Sequence, residues 1–240
     1  MVERNGFRPF ELRWWARVYT FPFVRRNLAF LIYTEKLMRE FLLIPLFLTL
    51  YDYLKSPIDL LYFQKPLRPL IGMRNTLIDI MLHKSEYNTA HYQSLWYVKA
   101  NYTTILDEYE KGIATANKKY FHDLDPWFEE NEGYYYYEVK DFPVIQNIID
   151  AVPCVDKDSA KFAVIEGPMT IAPHRAESNL LLRYHLTMKG GDNCMLYTTN
   201  DVHHHETRKD FLFDHSRFHS LDKRGLQTRV VLILDVHRFN

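Results

Sequence analysis

The last third of the chain sets short β-rich runs between turn signals and leaves no room for long helices. Phe162–Glu166, Leu180–Met188, Cys194–Thr199, Phe211–Asp214 and Thr228–Val236 read as strands, with Gly167-Pro168 and Gly190-Gly191-Asp192-Asn193 as turns. Several short strands at this spacing imply an antiparallel sandwich or small barrel.

Upstream the periodicity changes. Residues 75–120 carry Leu95, Val98, Tyr102, Ile105, Tyr109 and Ile113 three or four apart, the stripe of a helix packed on one face. Phe121–Pro143 is aromatic and acidic, with Tyr134–Tyr137 read as a structural surface or strand, and Phe142-Pro143 introduces a helix over Val144–Val152 that Pro153 ends. Residues 30–63 have mixed helical periodicity, ended or kinked near Pro45 and Pro57, before a turn-rich join at Pro66, Pro69 and Gly72. The expected organisation is a helical extension at 1–72 and a larger domain at 73–240, with helical support over 73–153 and a β core over 154–240.

With 30 basic and 30 acidic residues there is no global field, and nucleic acid is not expected as a partner. Cys154 and Cys194 are too few for a disulfide framework and form no zinc-type pair, which leans toward a reducing compartment. The first 26 residues hold six arginines against two glutamates, and the apolar runs that follow are divided by Glu35, Lys36, Arg39 and Glu40. Neither run reaches the roughly 18 to 20 residues of a spanning helix. Two readings stay open: an amphipathic extension packed on the core, or peripheral contact with a membrane interface.

Side chains alternate between faces along a strand, so Arg183, His185 and Thr187 share one side of Leu180–Met188. An Arg and a His together on one face suit an anion, water or solvent better than a dry core. The same period puts Arg229 beside Val231 and Ile233, a guanidinium fork on an apolar wall that suits a carboxylate. His174 follows a proline in a loop leading to the Arg183 strand, and His219 lies beyond the strand ending at Asp214. Two neutral imidazoles converging from strand ends can bind a divalent metal and leave positions open for substrate or dioxygen. His203-His204-His205 reads instead as a solvated hairpin, since consecutive side chains do not converge on one ion.

Pro173-His174, then Arg183-Tyr184-His185-Leu186, the block Phe213-Asp214-His215-Ser216-Arg217-Phe218-His219 and the closing Arg229–Val236 together resemble the aspartyl/asparaginyl β-hydroxylase family of iron(II)- and 2-oxoglutarate-dependent oxygenases. The resemblance covers about residues 142–240. It implies an α+β chain whose C-terminal half is a double-stranded β-helix (jelly-roll, cupin-like) core behind a mainly helical N-terminal region. His174 and His219 would be the iron ligands. Arg229 would pair with the distal carboxylate of 2-oxoglutarate, Arg183 and His185 would engage the oxoacid from the neighbouring strand, and dioxygen would be co-substrate. The implied reaction is β-hydroxylation of Asp or Asn side chains in a protein or peptide, with acyl-chain hydroxylation of a lipid as the alternative. Ala176 stands where many oxygenases carry a third, carboxylate ligand, as the family's small residue does, and Glu177 is a further candidate. Ala163 replaces a serine common in the family, and His215 replaces the second of its paired aspartates. These departures keep a third reading open, a catalytically inactive β-helix that serves as an interaction module.

Overall fold

The computed structural model describes residues 21–55, 62–81, 88–124, 128, 130–199 and 201–239. The basic stretch at residues 1–20, Pro57 and Trp127 lie outside the described residues. The chain divides into two compact units, residues 1–48 and 49–240. Helix α1 (Phe21–Leu54) spans the boundary and continues through Pro45, where a ladder hydrogen bond is forfeited. No helix among the described residues is long and apolar enough to cross a membrane.

The second unit continues with α2 (Arg68–Met81), a 3-10 turn at Thr89–His91, α3 (Leu95–Ala100), α4 (Tyr102–Gly112), β1 (Lys119–Tyr120), α5 (Phe121–Leu124), β2 (Tyr134–Glu138) and α6 (Pro143–Asp150). Eight strands follow: β3 (Val155–Ile165), β4 (Met169–His174), β5 (Leu181–Lys189), β6 (Cys194–Tyr197), β7 (Val202–His204), β8 (Asp210–Phe213), β9 (His219–Lys223) and β10 (Arg229–His237). One sheet has the order β1-β2-β3-β10-β5-β8 and the other β4-β9-β6-β7, antiparallel throughout. From β3 onward the chain passes to the opposite sheet at every step except the β6–β7 hairpin. That alternation is a double-stranded β-helix, so the chain has the expected α+β, cupin-like architecture.

The helices explain why one face of the large sheet is apolar. Leu95 and Val98 of α3, Tyr102, Ile105 and Tyr109 of α4, and Ile145 and Ile149 of α6 pack with Phe162, Leu182, Tyr184, Leu186, Leu232 and Leu234 in one core. Each such side chain, buried, contributes about 1.5–3 kcal/mol. Pro143 occupies the first turn of α6, where its missing N–H costs nothing. The expected stripe is thus the packing surface, although Ile113 falls past the end of α4 and is partly exposed. The tyrosine run is strand β2, added to the edge of β3.

The opposite face of the sheet turns toward β4, β9, β6 and β7. There, Ile165, Ile171, Leu196, Phe213 and Leu221 form a second core, and Phe121, Tyr136, Ala163, Val231 and Ile233 a third. Gly167, at φ +68°, makes the turn that carries the chain from β3 across to β4.

Candidate active site

A cavity of about 770 Å³ opens between the two sheets. Its wall brings together His174, Arg183, His185, His219 and Arg229, with Lys161, Tyr134, Phe128, Phe213 and His215 among their neighbours.

His174 and His219 are cross-strand partners, the last residue of β4 opposite the first of β9. Sequence reasoning leaves His174 in a loop and His219 beyond a strand; both are strand residues. β4 was hidden because it is an edge strand that carries Pro173, a residue tolerated only where no ladder bond is lost. The two rings lie 4.3 Å apart, centre to centre, tilted by 53°. Phe128 packs on His174 at 5.4 Å and Phe213 on His219 at 5.2 Å. His174 Nδ1 is 3.0 Å from the Ala172 carbonyl, and His219 Nδ1 is 3.0 Å from the Arg217 carbonyl. A carbonyl can only accept, so in both rings the proton sits on Nδ1 and the lone pair on Nε2. Burial, then the neighbouring His174, holds His219 well below the usual histidine range and keeps it neutral.

Among the described residues, no group of three or more His, Cys, Asp or Glu side chains is arranged around an ion. Glu177 is paired with Lys65 and gives its carbonyl to Asn75 at 2.8 Å.

Arg229, at the start of β10, is 2% exposed. Its Nη2 donates to His205 Nε2 at 3.3 Å, which leaves His205 Nδ1 to donate to Thr187 Oγ1 at 3.2 Å. Burial and the adjacent guanidinium lower the His205 pKa, so its acceptor role is preserved. Gly191 permits the fit, since a Cβ there would stand 3.1 Å from the Arg229 Cβ and 2.8 Å from Lys223 Cε. Arg229 Nε has no hydrogen-bond partner among the described residues. Lys223, the other deeply buried cation nearby, donates to the Gly167 and Gly225 carbonyls at 2.6 Å each.

The solvated-hairpin reading of the histidine triplet is therefore corrected at His205, which is buried at the base of Arg229. His203 stacks on Phe211 at 4.3 Å and His204 is exposed. The period of two that separates 203 and 205 from 204 was the available signal.

His185, 4% exposed, points inward from β5 between His205, Phe211 and Phe213, and neither of its ring nitrogens has a hydrogen-bond partner. Two residues along the strand, Arg183 forms a bidentate pair with Asp235, Nε to Oδ1 at 2.9 Å and Nη2 to Oδ2 at 3.2 Å. Burial pushes the Asp235 pKa up, but the guanidinium outweighs it and holds the carboxyl below the usual range. Arg183 and Arg229 stand at opposite ends of one face, roughly 20 Å apart along β10 by strand rise.

Sequence reasoning missed Lys161. It lies level with Ile233 and His185 across the sheet and lines the cavity, with Tyr136 under its ammonium at 5.5 Å. It makes no ion pair or hydrogen bond with a described residue, and burial, then Arg183, lowers its pKa.

The buried histidines give the site a pH signature. His185, His205, His215 and His219 are all pushed below their ordinary range, first by burial, His215 to about 3. The unfolded chain takes up protons near pH 6.5 that the fold refuses, so stability is complete above that pH and is lost below it. Each such site costs about 1.4 kcal/mol per pH unit, up to roughly 5 kcal/mol per unit for four. The urea midpoint of metal-free protein should fall steeply from pH 6.5 to pH 5; a flat profile would contradict the neutral, buried rings.

Comparisons with solved structures find matches at low similarity, cupins among them. The structure of KdgF from Halomonas sp. aligns over 50% of this chain and 95% of its own, at 11% identity and a TM-score of 0.31. A cupin-superfamily sugar phosphate isomerase from Silicibacter pomeroyi aligns over 52% and 73%, at 9% identity and 0.35. The Schizosaccharomyces pombe Cnp3 cupin domain aligns at 8% identity and 0.29 over 35% of this chain, which spans about half (54%) of that domain. No curated protein sequence matches the chain. The aspartyl/asparaginyl beta-hydroxylase family, by contrast, matches residues 99–239, more than half of the chain and all of the β-helix. The chain belongs to that hydroxylase family.

Proposed function

We propose that the protein is an iron(II)- and 2-oxoglutarate-dependent hydroxylase that β-hydroxylates Asp or Asn side chains of a protein or peptide. The observation that carries this reading is the pair His174 and His219, adjacent across two strands, each with its Nδ1 proton committed to a backbone carbonyl and its lone pair therefore on Nε2. Two neutral imidazoles fit a divalent iron, and a site with two protein ligands keeps positions for water, oxoacid and dioxygen. The oxoacid fits as well. Among the described residues Arg229 Nε and the ring nitrogens of His185 are buried without hydrogen-bond partners, and a ligand carboxylate would accept from Arg229 Nε and from the single N–H of the neutral His185 ring, donors that otherwise cost about 1–3 kcal/mol each. When bound, iron with 2-oxoglutarate and dioxygen supplies oxidative decarboxylation to succinate and carbon dioxide, coupled to hydroxylation of a C–H bond.

The chain's own residues then divide the work. His174 and His219 hold the metal, Arg229 neutralises the oxoacid while the neutral His185 ring helps to orient it, and Phe121, Phe128, Tyr134 and Phe213 keep water from the reacting centre. Lys161 supports an acidic substrate, because a half-desolvated ammonium on the wall is suited to a carboxylate, and Arg183, held by Asp235, lines the same end. His215 does not weigh against activity, since it bridges the two histidine arms through its carbonyl, which accepts from Ala176 N at 2.8 Å and which any residue could supply.

Aerobic incubation with iron(II), ascorbate and labelled 2-oxoglutarate, with peptide and acyl-lipid pools, tests the reading. Succinate together with a peptide that gains one oxygen is expected; no succinate above the iron-free control in either pool would overturn it. Product in the lipid pool would favour the acyl-chain reading, which draws on the exposed Phe41, Leu42, Ile44 and Phe47 of α1 and contact with a membrane surface. Lys161→Ala should raise the KM for an aspartyl peptide about tenfold or more, the scale of a hydrogen bond to a charged group, while the 2-oxoglutarate KM stays put. An equal rise in both would reject the assignment.

A further inference from the structure

Helix α2 lies upstream of the residues that match the family, yet it grips both arms of the histidine pair. Asn75 and Asp79 are four residues apart and so share a face of the helix. Asn75 Nδ2 donates to the Glu177 carbonyl at 2.8 Å, and Asn179 Nδ2 donates to the Asn75 carbonyl at 3.0 Å and to Asp79 Oδ1 at 3.1 Å. These bonds tie down the loop that leaves His174. Asp79 also meets Arg217 at 3.6 Å and Arg238 at 3.4 Å, and pairs with Lys55. Arg217 in turn faces Asp214 at 3.5 Å, and Arg238 donates to Asp214 at 2.8 Å. The arm that enters His219 is thereby fixed at Arg217, the residue whose carbonyl holds the His219 proton.

The cluster is buried, with the Asp79 side chain 12% exposed, Arg217 10%, Arg238 6% and Asp214 1%. Three cations there share two carboxylates. Without Asp79, the Arg217 side chain would lose one of its two anionic contacts and Lys55 its ion pair, so the turn at 214–217 would be free to relax.

We propose that Asp79 is a positioning residue for the metal-binding pair: through Arg217 it holds the backbone carbonyl that keeps the His219 proton on Nδ1 and the lone pair on Nε2. This rests on the reading of His174 and His219 as metal ligands, but its first consequence needs no metal. In metal-free protein, nitrogen-15 spectra of the His219 ring should report the Nδ1–H tautomer alone. Asp79→Asn, which keeps the shape and the Asn179 contact but removes the charge, should give a mixture with the Nε2–H tautomer. Affinity for cobalt(II), used as a spectroscopic probe of the iron site, should fall at least tenfold, the range typical of groups that orient a ligand from behind. The far-UV circular dichroism should be retained. If Asp79→Asn does not fold, Arg217→Met removes the same tie from the other side and should give the same tautomer mixture.

A pure Nδ1–H signature and cobalt affinity within twofold of the parent, in whichever variant folds, would overturn the assignment of Asp79. A parent that binds no cobalt while Asp79→Asn still redistributes the tautomers would overturn the metal-site reading and uphold the positioning role. A purely structural Asp79 would lower the melting temperature and leave both the ring spectrum and the affinity unmoved.

Discussion

Alanine at His174 or at His219 is expected to abolish iron-dependent succinate formation and leave a cooperative melt and the far-UV circular dichroism intact. On the proposed assignment of two protein ligands, either loss would leave the metal on a single imidazole. Changes to groups that merely orient a ligand cost 10- to 100-fold in metal affinity, so removal of the ligand itself should exceed that. The two variants should differ in stability. His219 is buried against Phe213, so its truncation should cost about 1–3 kcal/mol, whereas half-buried His174 should cost less. Metal content after dialysis and succinate yield decide the matter together. Unchanged turnover in both variants would reject the ligand assignment, while a loss of activity with full metal occupancy would move the two rings from holding iron to some other task.

What the sequence revealed follows from which forces act locally. A period of two sorts Arg183, His185 and Thr187 from Leu182, Tyr184 and Leu186, and the sheet does divide along that line, with Arg183 and His185 lining the cavity, Thr187 against His205, and the leucines and Tyr184 in the core shared with the helices. The helical stripe from Leu95 to Tyr109 was equally legible, because one face of each helix must be covered. β9 was not. Its buried positions include Lys223, whose charge is satisfied by the Gly225 carbonyl two residues on and by the Gly167 carbonyl 56 residues away, and nothing within a short window announces the second. Asp235 was read only as the end of an apolar strand, although it fixes Arg183 from 52 residues away. The clamp formed by Asn75 and Asp79 spans about a hundred residues or more and was invisible for the same reason. Strand faces and helix stripes are therefore readable one window at a time, but the partners that set the charge of the site are not.

Arg229 provides the sharpest thermodynamic test, because the apo protein bears a cost there. The guanidinium is buried, has no ion pair with a described carboxylate, and among the described residues finds its hydrogen-bond acceptor in His205, while burial lowers its pKa. A buried charge without a counterion costs several kcal/mol, and an apolar side chain of similar length often does better. Arg229→Met should therefore raise, or at least not lower, the melting temperature of the apo protein, even though the freed His205 nitrogen offsets part of the gain by about 1–3 kcal/mol. The same substitution should weaken 2-oxoglutarate by about 10- to 150-fold, the equivalent of the roughly 1.5–3 kcal/mol carried by a charge-assisted contact. Ligand binding adds the third leg. At a hundred times its Kd the oxoacid stabilises the parent by about 2.7 kcal/mol, which for a domain of this size is roughly 5–10 °C in Tm. The variant at the same concentration should gain only about 0.3–1.4 kcal/mol. A parent whose melting temperature ignores 2-oxoglutarate, or a variant that responds as the parent does, would remove Arg229 from the oxoacid site. Stability gained at the point where ligand response is lost would identify the unpaired cation as one the fold tolerates for the sake of the anion it awaits.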